Sequence, residues 1–203
     1  MSSKKTEIEV CGRTVDVWYL TTEQEGKSAN RDERGPIASG MEAKWREQAK
    51  RDEAKKPGTG RDAMGRMKCW TAIADEHWQK ACNDVVAELP SLDAFCVIPS
   101  SRDNRRKPLV DALHARFPAA IELAYTRPPG VRFGRTEMDE IAIYNALSRT
   151  DRATLPSGAC VAIADDWATG WTTLRATICR IQADHRGCIG SFVCTVPGIA
   201  AVP

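Results

Sequence analysis

After Pro90 the chain alternates short apolar runs with amphipathic stretches of helical length, and this limits the fold more than any other feature. Ala94 to Ile98 reads as a short apolar strand. Lys107 to Phe117 reads as a helix with Leu109, Val110, Leu113 and Phe117 on one side. Ile121 to Tyr125 is a second strand, and Thr136 to Leu147 a helix opened by a Thr-x-x-Asp cap. Ala159 to Ala164 is a third strand, Thr172 to Arg186 a helix, and Cys188 to Val196 a fourth strand. Strands separated by helices of this length predict an α/β fold. The sheet is expected to be mainly parallel and Rossmann-like, with right-handed crossovers and helices on both faces.

The chain upstream of Pro90 is organised differently. Residues 7–20 read as a hairpin turning near Gly12. From Met67 to Leu89, Trp70, Ile73, Ala74, Trp78, Ala81, Val85 and Leu89 recur at helical spacing, which predicts a long amphipathic helix ended by Pro90. Between them, Thr21 to Lys68 holds 21 charged residues in 48 and few large apolar ones. Such a stretch has little apolar surface to offset the entropy of ordering. It reads as an insertion that packs poorly on the sheet unless a ligand or a protein partner orders it. The expected organisation is an N-terminal hairpin and charged cap or hood over residues 1–68, with an α/β core over 69–203.

Composition excludes several classes. A chain that is 42% hydrophobic and 28% charged has an ordinary globular balance, and no run approaches the ~18 apolar residues of a membrane span. The first ten residues carry lysines but no apolar stretch of a secretory leader, so a cytoplasmic location is expected. In that compartment the eight cysteines read as small buried hydrophobes rather than disulfides. Cys179, His185, Cys188 and Cys194 fit no standard zinc spacing. A net charge of +2 gives no indication of nucleic acid. Its distribution is uneven, however: from Ser100 to Arg135, eight basic residues stand against three acids.

In an open parallel sheet, ligands bind just beyond the carboxyl ends of the strands, and two of those ends are chemically loaded. One strand runs through Cys96-Val97-Ile98 into Pro99-Ser100-Ser101-Arg102. Small residues let backbone amides approach an anion, and an arginine fork holds phosphate in a bidentate grip. The other runs from Val161 to Ala164 into Asp165-Asp166, then Trp167-Ala168-Thr169-Gly170-Trp171 and a helix from Thr172. A helix start offers unpaired N–H groups and a partial positive charge to a phosphate. Carboxylates would repel that phosphate, but they suit sugar hydroxyls or a magnesium-bound sugar. A ribose 5-phosphate satisfies both.

The stretch from Val161 to Leu174 resembles the ribose-phosphate-binding motif of type I phosphoribosyltransferases: an apolar strand, two acids, a Thr/Gly loop and a helix. Val97 to Leu113, with Pro99-Ser100-Ser101-Arg102 and Pro108-Leu109, is similar to the pyrophosphate loop and first helix of the competence-protein-F-like branch. The resemblance covers roughly residues 92–197. Gly170 comes one position earlier than in the family pattern, and Trp171 stands where the family has glycine.

The resemblance implies a Mg²⁺-dependent transfer of the phosphoribosyl group from 5-phosphoribosyl-1-pyrophosphate to a base or amine. Asp165 and Asp166 would bind the ribose hydroxyls and, indirectly, the metal. Ala168, Thr169, Gly170, Trp171, Thr172 and Thr173 would hold the 5-phosphate. Ser100, Ser101 and Arg102 would hold the pyrophosphate, with Arg127, Arg132 and Arg135 as a lid. The same fold also implies an alternative: a non-catalytic nucleotide-binding regulator or effector subunit that works with a protein partner through the charged insertion.

Overall fold

The computed structural model describes residues 3–22, 50–51, 54, 75–99, 103–128, 140–168 and 171–199. At the N-terminus, β1 (Lys4–Val10) and β2 (Arg13–Tyr19) pair antiparallel. Cys11 and Gly12, both in the left-handed region with φ of 51° and 72°, form the two-residue turn whose twist matches the right-handed twist of the hairpin strands. Ile8, Val10, Val15, Val17 and Tyr19 are buried. The remaining elements follow in order: β3 (Thr21–Thr22), α1 (Asp75–Ala87), β4 (Ala94–Val97), α2 (Asp103–Arg116), β5 (Ile121–Glu122), β6 (Tyr125–Thr126) and α3 (Glu140–Ala146). Then come β7 (Ser148–Arg149), β8 (Ala159–Ala164), β9 (Trp167–Ala168), α4 (Thr172–Asp184), β10 (Ile189–Thr195) and β11 (Gly198–Ile199).

The central sheet has the order β1-β2-β10-β8-β4-β5. Every neighbouring pair is parallel except β1 with β2. The α/β expectation therefore holds, with one antiparallel strand at the edge. The hairpin assigned to a cap is part of this sheet, because β2 pairs with β10. Of the charged insertion, the structure describes only Thr21, Thr22 and the helical, exposed Lys50, Arg51 and Ala54.

The central strands β4 and β8 are buried on both faces, which is why they read as unbroken apolar runs. Ala94, Cys96, Ile98, Val161 and Ile163 join one core cluster with Ile143 of α3 and Leu174, Ile178 and Ile181 of α4. Phe95, Val97, Ala162, Ala164 and Val193 join the other, with Trp78, Cys82 and Val85 of α1 and Leu109 and Leu113 of α2. The parity of each strand assigns its residues to a face, and the helices lie in pairs on either side.

Several boundaries differ from expectation. Helix α2 begins one turn early, at Asp103, so Pro108 lies inside it. Proline suits a first turn because its missing N–H costs nothing there. Here the helix carries it through, with Leu109, Ala112 and Leu113 buried beyond it. The second predicted strand breaks after Glu122, and β6 turns away to pair with β7. The predicted helix over 136–147 is seen as α3, residues 129–139 lying outside the described set. β10 carries a register shift between Ile189 and Ser191. At Gly190 a Cβ would meet the Gly158 carbonyl oxygen at 2.5 Å, so glycine is required.

The cysteines need a larger correction. Cys11 and Cys179 form a disulfide, with Cα atoms 6.4 Å apart, tying the hairpin turn to the middle of α4. A pairing across 168 residues has no signature in local spacing. Cys82, Cys96 and Cys194 are buried thiols, as expected, while Cys160 and Cys188 are half-buried. Burial pushes the Cys96 thiol up to about 12.

Candidate functional site at the sheet switch point

The middle of the sheet reverses direction of travel. From β4 the chain passes through α2 to β5 on one side, and from β8 through α4 to β10 on the other. The carboxyl ends of adjacent β4 and β8 thus lie at the topological switch point, where α/β sheets bind ligands. The two chemically loaded segments of the sequence meet there. The Ile98 N–H donates to the Ala164 carbonyl at 2.8 Å, closing the last rung between the strands. Beyond it run Pro99, half-buried, and then Ser100, Ser101 and Arg102, which lie outside the described residues. Helix α2 starts immediately after them.

On the β8 side, Asp165 is 9% exposed, and its N–H donates to the Thr195 carbonyl at 3.1 Å. Its Oδ1 accepts the Asp166 N–H at 2.8 Å. Asp166 is half-buried. Its Oδ2 is shielded from solvent and has no hydrogen-bond partner among the described residues. Cys194 lies within electrostatic reach. Burial, then the charge of Asp165, push its thiol far above the usual range, so it stays neutral.

These acids do not end a free strand. β2, β10 and β8 each break and resume as β3, β11 and β9, which form a second, three-stranded parallel sheet. Asp165 and Asp166 occupy one of these breaks. The others are bridged by Val196 N–H to the Trp18 carbonyl at 2.9 Å and Leu20 N–H to the Pro197 carbonyl at 3.1 Å. Ala168 is buried and in register with Ile199 of β11, which draws it into this small sheet.

Thr169 and Gly170 lie outside the described residues. Trp171 caps α4 with φ 62° and ψ −14°, a left-handed conformation with no side-chain capping bond. For a residue with a Cβ this costs roughly 1–2 kcal/mol. The position where the resembled family has glycine thus takes a shape glycine adopts freely, and the half-buried Trp171 packs against the core. Thr172 and Thr173 open the helix, and the Thr173 carbonyl accepts the Thr177 hydroxyl at 2.8 Å. Arg127 is half-buried just after β6, and Arg132 and Arg135 are not among the described residues.

Thr195 was not singled out by the sequence. It is fully buried, in register with Ala164, and its carbonyl holds the Asp165 N–H. Its Oγ1 has no hydrogen-bond partner among the described residues. The only available signal was a polar residue closing an apolar strand, which threonine does commonly. Within the basic stretch, Arg106 is tied to Glu122 at 3.5 Å, and Glu122 also meets His114 at 3.0 Å. Among the described residues no group of three or more His, Cys, Asp or Glu gathers to hold a metal. No described helix is long and apolar enough to cross a membrane.

No protein-family model matches the chain, and no curated protein sequence matches it. Among solved structures, it is similar to a hypoxanthine phosphoribosyltransferase from Staphylococcus aureus, at 15% identity and a TM-score of 0.38 over 61% of this chain. The match spans 64% of that protein, just under two thirds of its length.

Proposed function

We propose that the chain binds 5-phosphoribosyl-1-pyrophosphate in the crevice between β4 and β8 and transfers its phosphoribosyl group to a base or amine, releasing pyrophosphate. One observation supports this above the others. The switch point of the sheet falls on the same two strand ends that carry the Ser100–Arg102 loop and the Asp165–Asp166 pair.

In this reading, Asp165 and Asp166 accept hydrogen bonds from the ribose hydroxyls and favour the positive charge that develops at C1 as its bond to pyrophosphate breaks. The backbone from Ala168 to Thr172, with the Thr169, Thr172 and Thr173 hydroxyls, holds the 5-phosphate. That remote contact is converted into orientation at C1. Ser100, Ser101 and Arg102 hold the departing pyrophosphate, and Arg127, Arg132 and Arg135 close over it. Mg²⁺ fits this donor set. Two adjacent carboxylates offer hard oxygens, one of them the buried Asp166 Oδ2, unpartnered among the described residues, and they would hold the metal indirectly, through the ribose hydroxyls or water, leaving the rest of its shell to phosphate. When bound, it offsets the charge growing on the leaving group. The proposal carries with it a cytoplasmic setting.

Trp171 favours a second reading. An indole where the resembled family has glycine fits a nucleotide-binding regulator or effector subunit, which needs the crevice but not turnover. Pyrophosphate release from phosphoribosyl pyrophosphate with Mg²⁺, measured with and without pooled bases, separates the two. Release that depends on a base supports the transferase, and binding without release supports the regulator. Release without any base indicates hydrolysis.

A further inference from the structure

We propose that the Cys11–Cys179 disulfide is a reversible redox clasp that locks the edge hairpin onto α4 and opens when a thiol reductant reaches it. The inference is independent of the proposed reaction.

The placement of the pair carries the idea. β1 is the outermost strand and reaches the sheet only through β2. The polar contacts within the hairpin, Lys5 with Asp16 at 2.8 Å and Thr14 with Glu9 at 2.6 Å, join β1 to β2 and are exposed or partly so. They do nothing to fasten the hairpin to α4. Toward α4 the hairpin presents the apolar face of Ile8, Val10, Val15, Val17 and Tyr19, and one covalent bond.

The turn itself has no local use for cysteine. Cys11 takes a left-handed φ of 51° beside Gly12, in a position that favours Asn, Asp or Gly. A residue that breaks the local turn rule needs a compensating gain, and here the bond to Cys179 supplies it. Accessibility agrees with this. Cys11 is exposed on the turn, whereas Cys82, Cys96 and Cys194 are buried.

Opening requires a dithiol, or two molecules of a monothiol such as glutathione. A thiolate attacks one protein sulfur and forms a mixed disulfide. A second thiol then displaces the protein sulfur, and the reductant leaves as its own disulfide. Two electrons and two protons pass to Cys11 and Cys179. The consequence spreads along a defined path. α4 starts at Thr172, seven residues before the anchored Cys179, and β2 bonds through Trp18 to Val196, next to the Thr195 carbonyl that holds Asp165.

The wild-type chain tests this directly. It is equilibrated under native conditions in glutathione buffers from fully oxidised to fully reduced, and its free thiols are blocked and counted by mass spectrometry. The clasp predicts that the Cys11–Cys179 bond forms at the oxidised end, opens at the reduced end without unfolding, and reforms on reoxidation. Melting temperature should fall by roughly 10 °C on reduction, as expected for a long closed loop in a chain of this size. Amide exchange should rise in residues 4–19 and in α4, and not in β4 or β8. Cys11→Ser should melt like the reduced wild type in both buffers. The proposal is overturned if the oxidised protein lacks the bond, or if the bond yields only to denaturant, which would make it a permanent crosslink. It is equally overturned if reduction leaves melting and exchange unchanged, or unfolds the whole chain.

Discussion

Two pairs of carboxylates largely withdrawn from solvent use their oxygens differently. Asp151 accepts from Arg149 at 2.9 and 2.6 Å and from the N–H groups of Ala124 and Ala153 at 2.8 and 2.9 Å. Asp184 accepts the Tyr125 hydroxyl at 2.9 Å and Arg180 Nε at 3.0 Å, and Arg180 also covers the ring of Tyr144. These acids tie β6, β7 and the end of α4 together. At the switch point, Asp165 Oδ1 takes the N–H of the next residue, and Asp166 Oδ2 is buried with no hydrogen-bond partner among the described residues. Buried polar groups kept for the fold are normally satisfied. In the proposed function, the open Asp166 oxygen is the acceptor that a bound ligand or its metal would use.

Breaking the first set should cost the most. Asp151→Ala removes the carboxylate partner of Arg149, which keeps only the Ala153 carbonyl among its described acceptors, and leaves two backbone N–H groups without theirs; it should destabilise by about 3 kcal/mol in urea unfolding. Tyr125→Phe comes next. Burial, then the Asp184 bond, push the Tyr125 hydroxyl far above its ordinary range, so it remains a donor at any working pH. Losing it should cost about 1 kcal/mol, with ligand binding at the switch point unchanged.

Acid sharpens the contrast further. Burial works to raise the Asp151 carboxyl, but Arg149 and the backbone N–H groups of Ala153 and Ala124 outweigh it and hold it below its ordinary 3.8. A depressed carboxyl contributes stability in full above the unfolded value, and that contribution is lost as pH falls through the folded one. Asp151→Asn should therefore flatten the loss of stability below about pH 4. His185 gives the smallest effect. Desolvation, then the charge of Arg149, hold its ring below 6.5 against the opposing pull of Asp151 and Asp184. The unfolded chain binds the proton first, so stability should begin to decline as pH drops below 6.5. His185→Phe should remove that part of the slope.

The contrast also marks what the sequence could convey. Strands β4 and β8 were legible because burial on both faces makes them continuous apolar runs, and the acids at 165–166 were legible as the abrupt end of one. The pairing of β2 with β10 was not, since it joins segments more than 170 residues apart and leaves no periodic trace. The Cys11–Cys179 bond was hidden for the same reason. β3, β9 and β11 are two residues each, too short for any alternation to show. Trp171 was visible as a departure from the resembled motif, but its left-handed backbone could be found only in three dimensions.

In the proposed function, Asp165 and Asp166 serve a ligand rather than the fold. The double variant Asp165→Asn with Asp166→Asn keeps their size and removes both charges. Calorimetric titration with phosphoribosyl pyrophosphate and Mg²⁺, alongside thermal melting of the same protein, separates a ligand role from a structural one. Each charge-assisted hydrogen bond lost is worth about 1.5–3 kcal/mol, so affinity should weaken by roughly tenfold or more while the melting temperature hardly moves. A well-folded variant that binds as tightly as the wild type would contradict the account, as would a large drop in melting temperature with affinity per folded molecule intact.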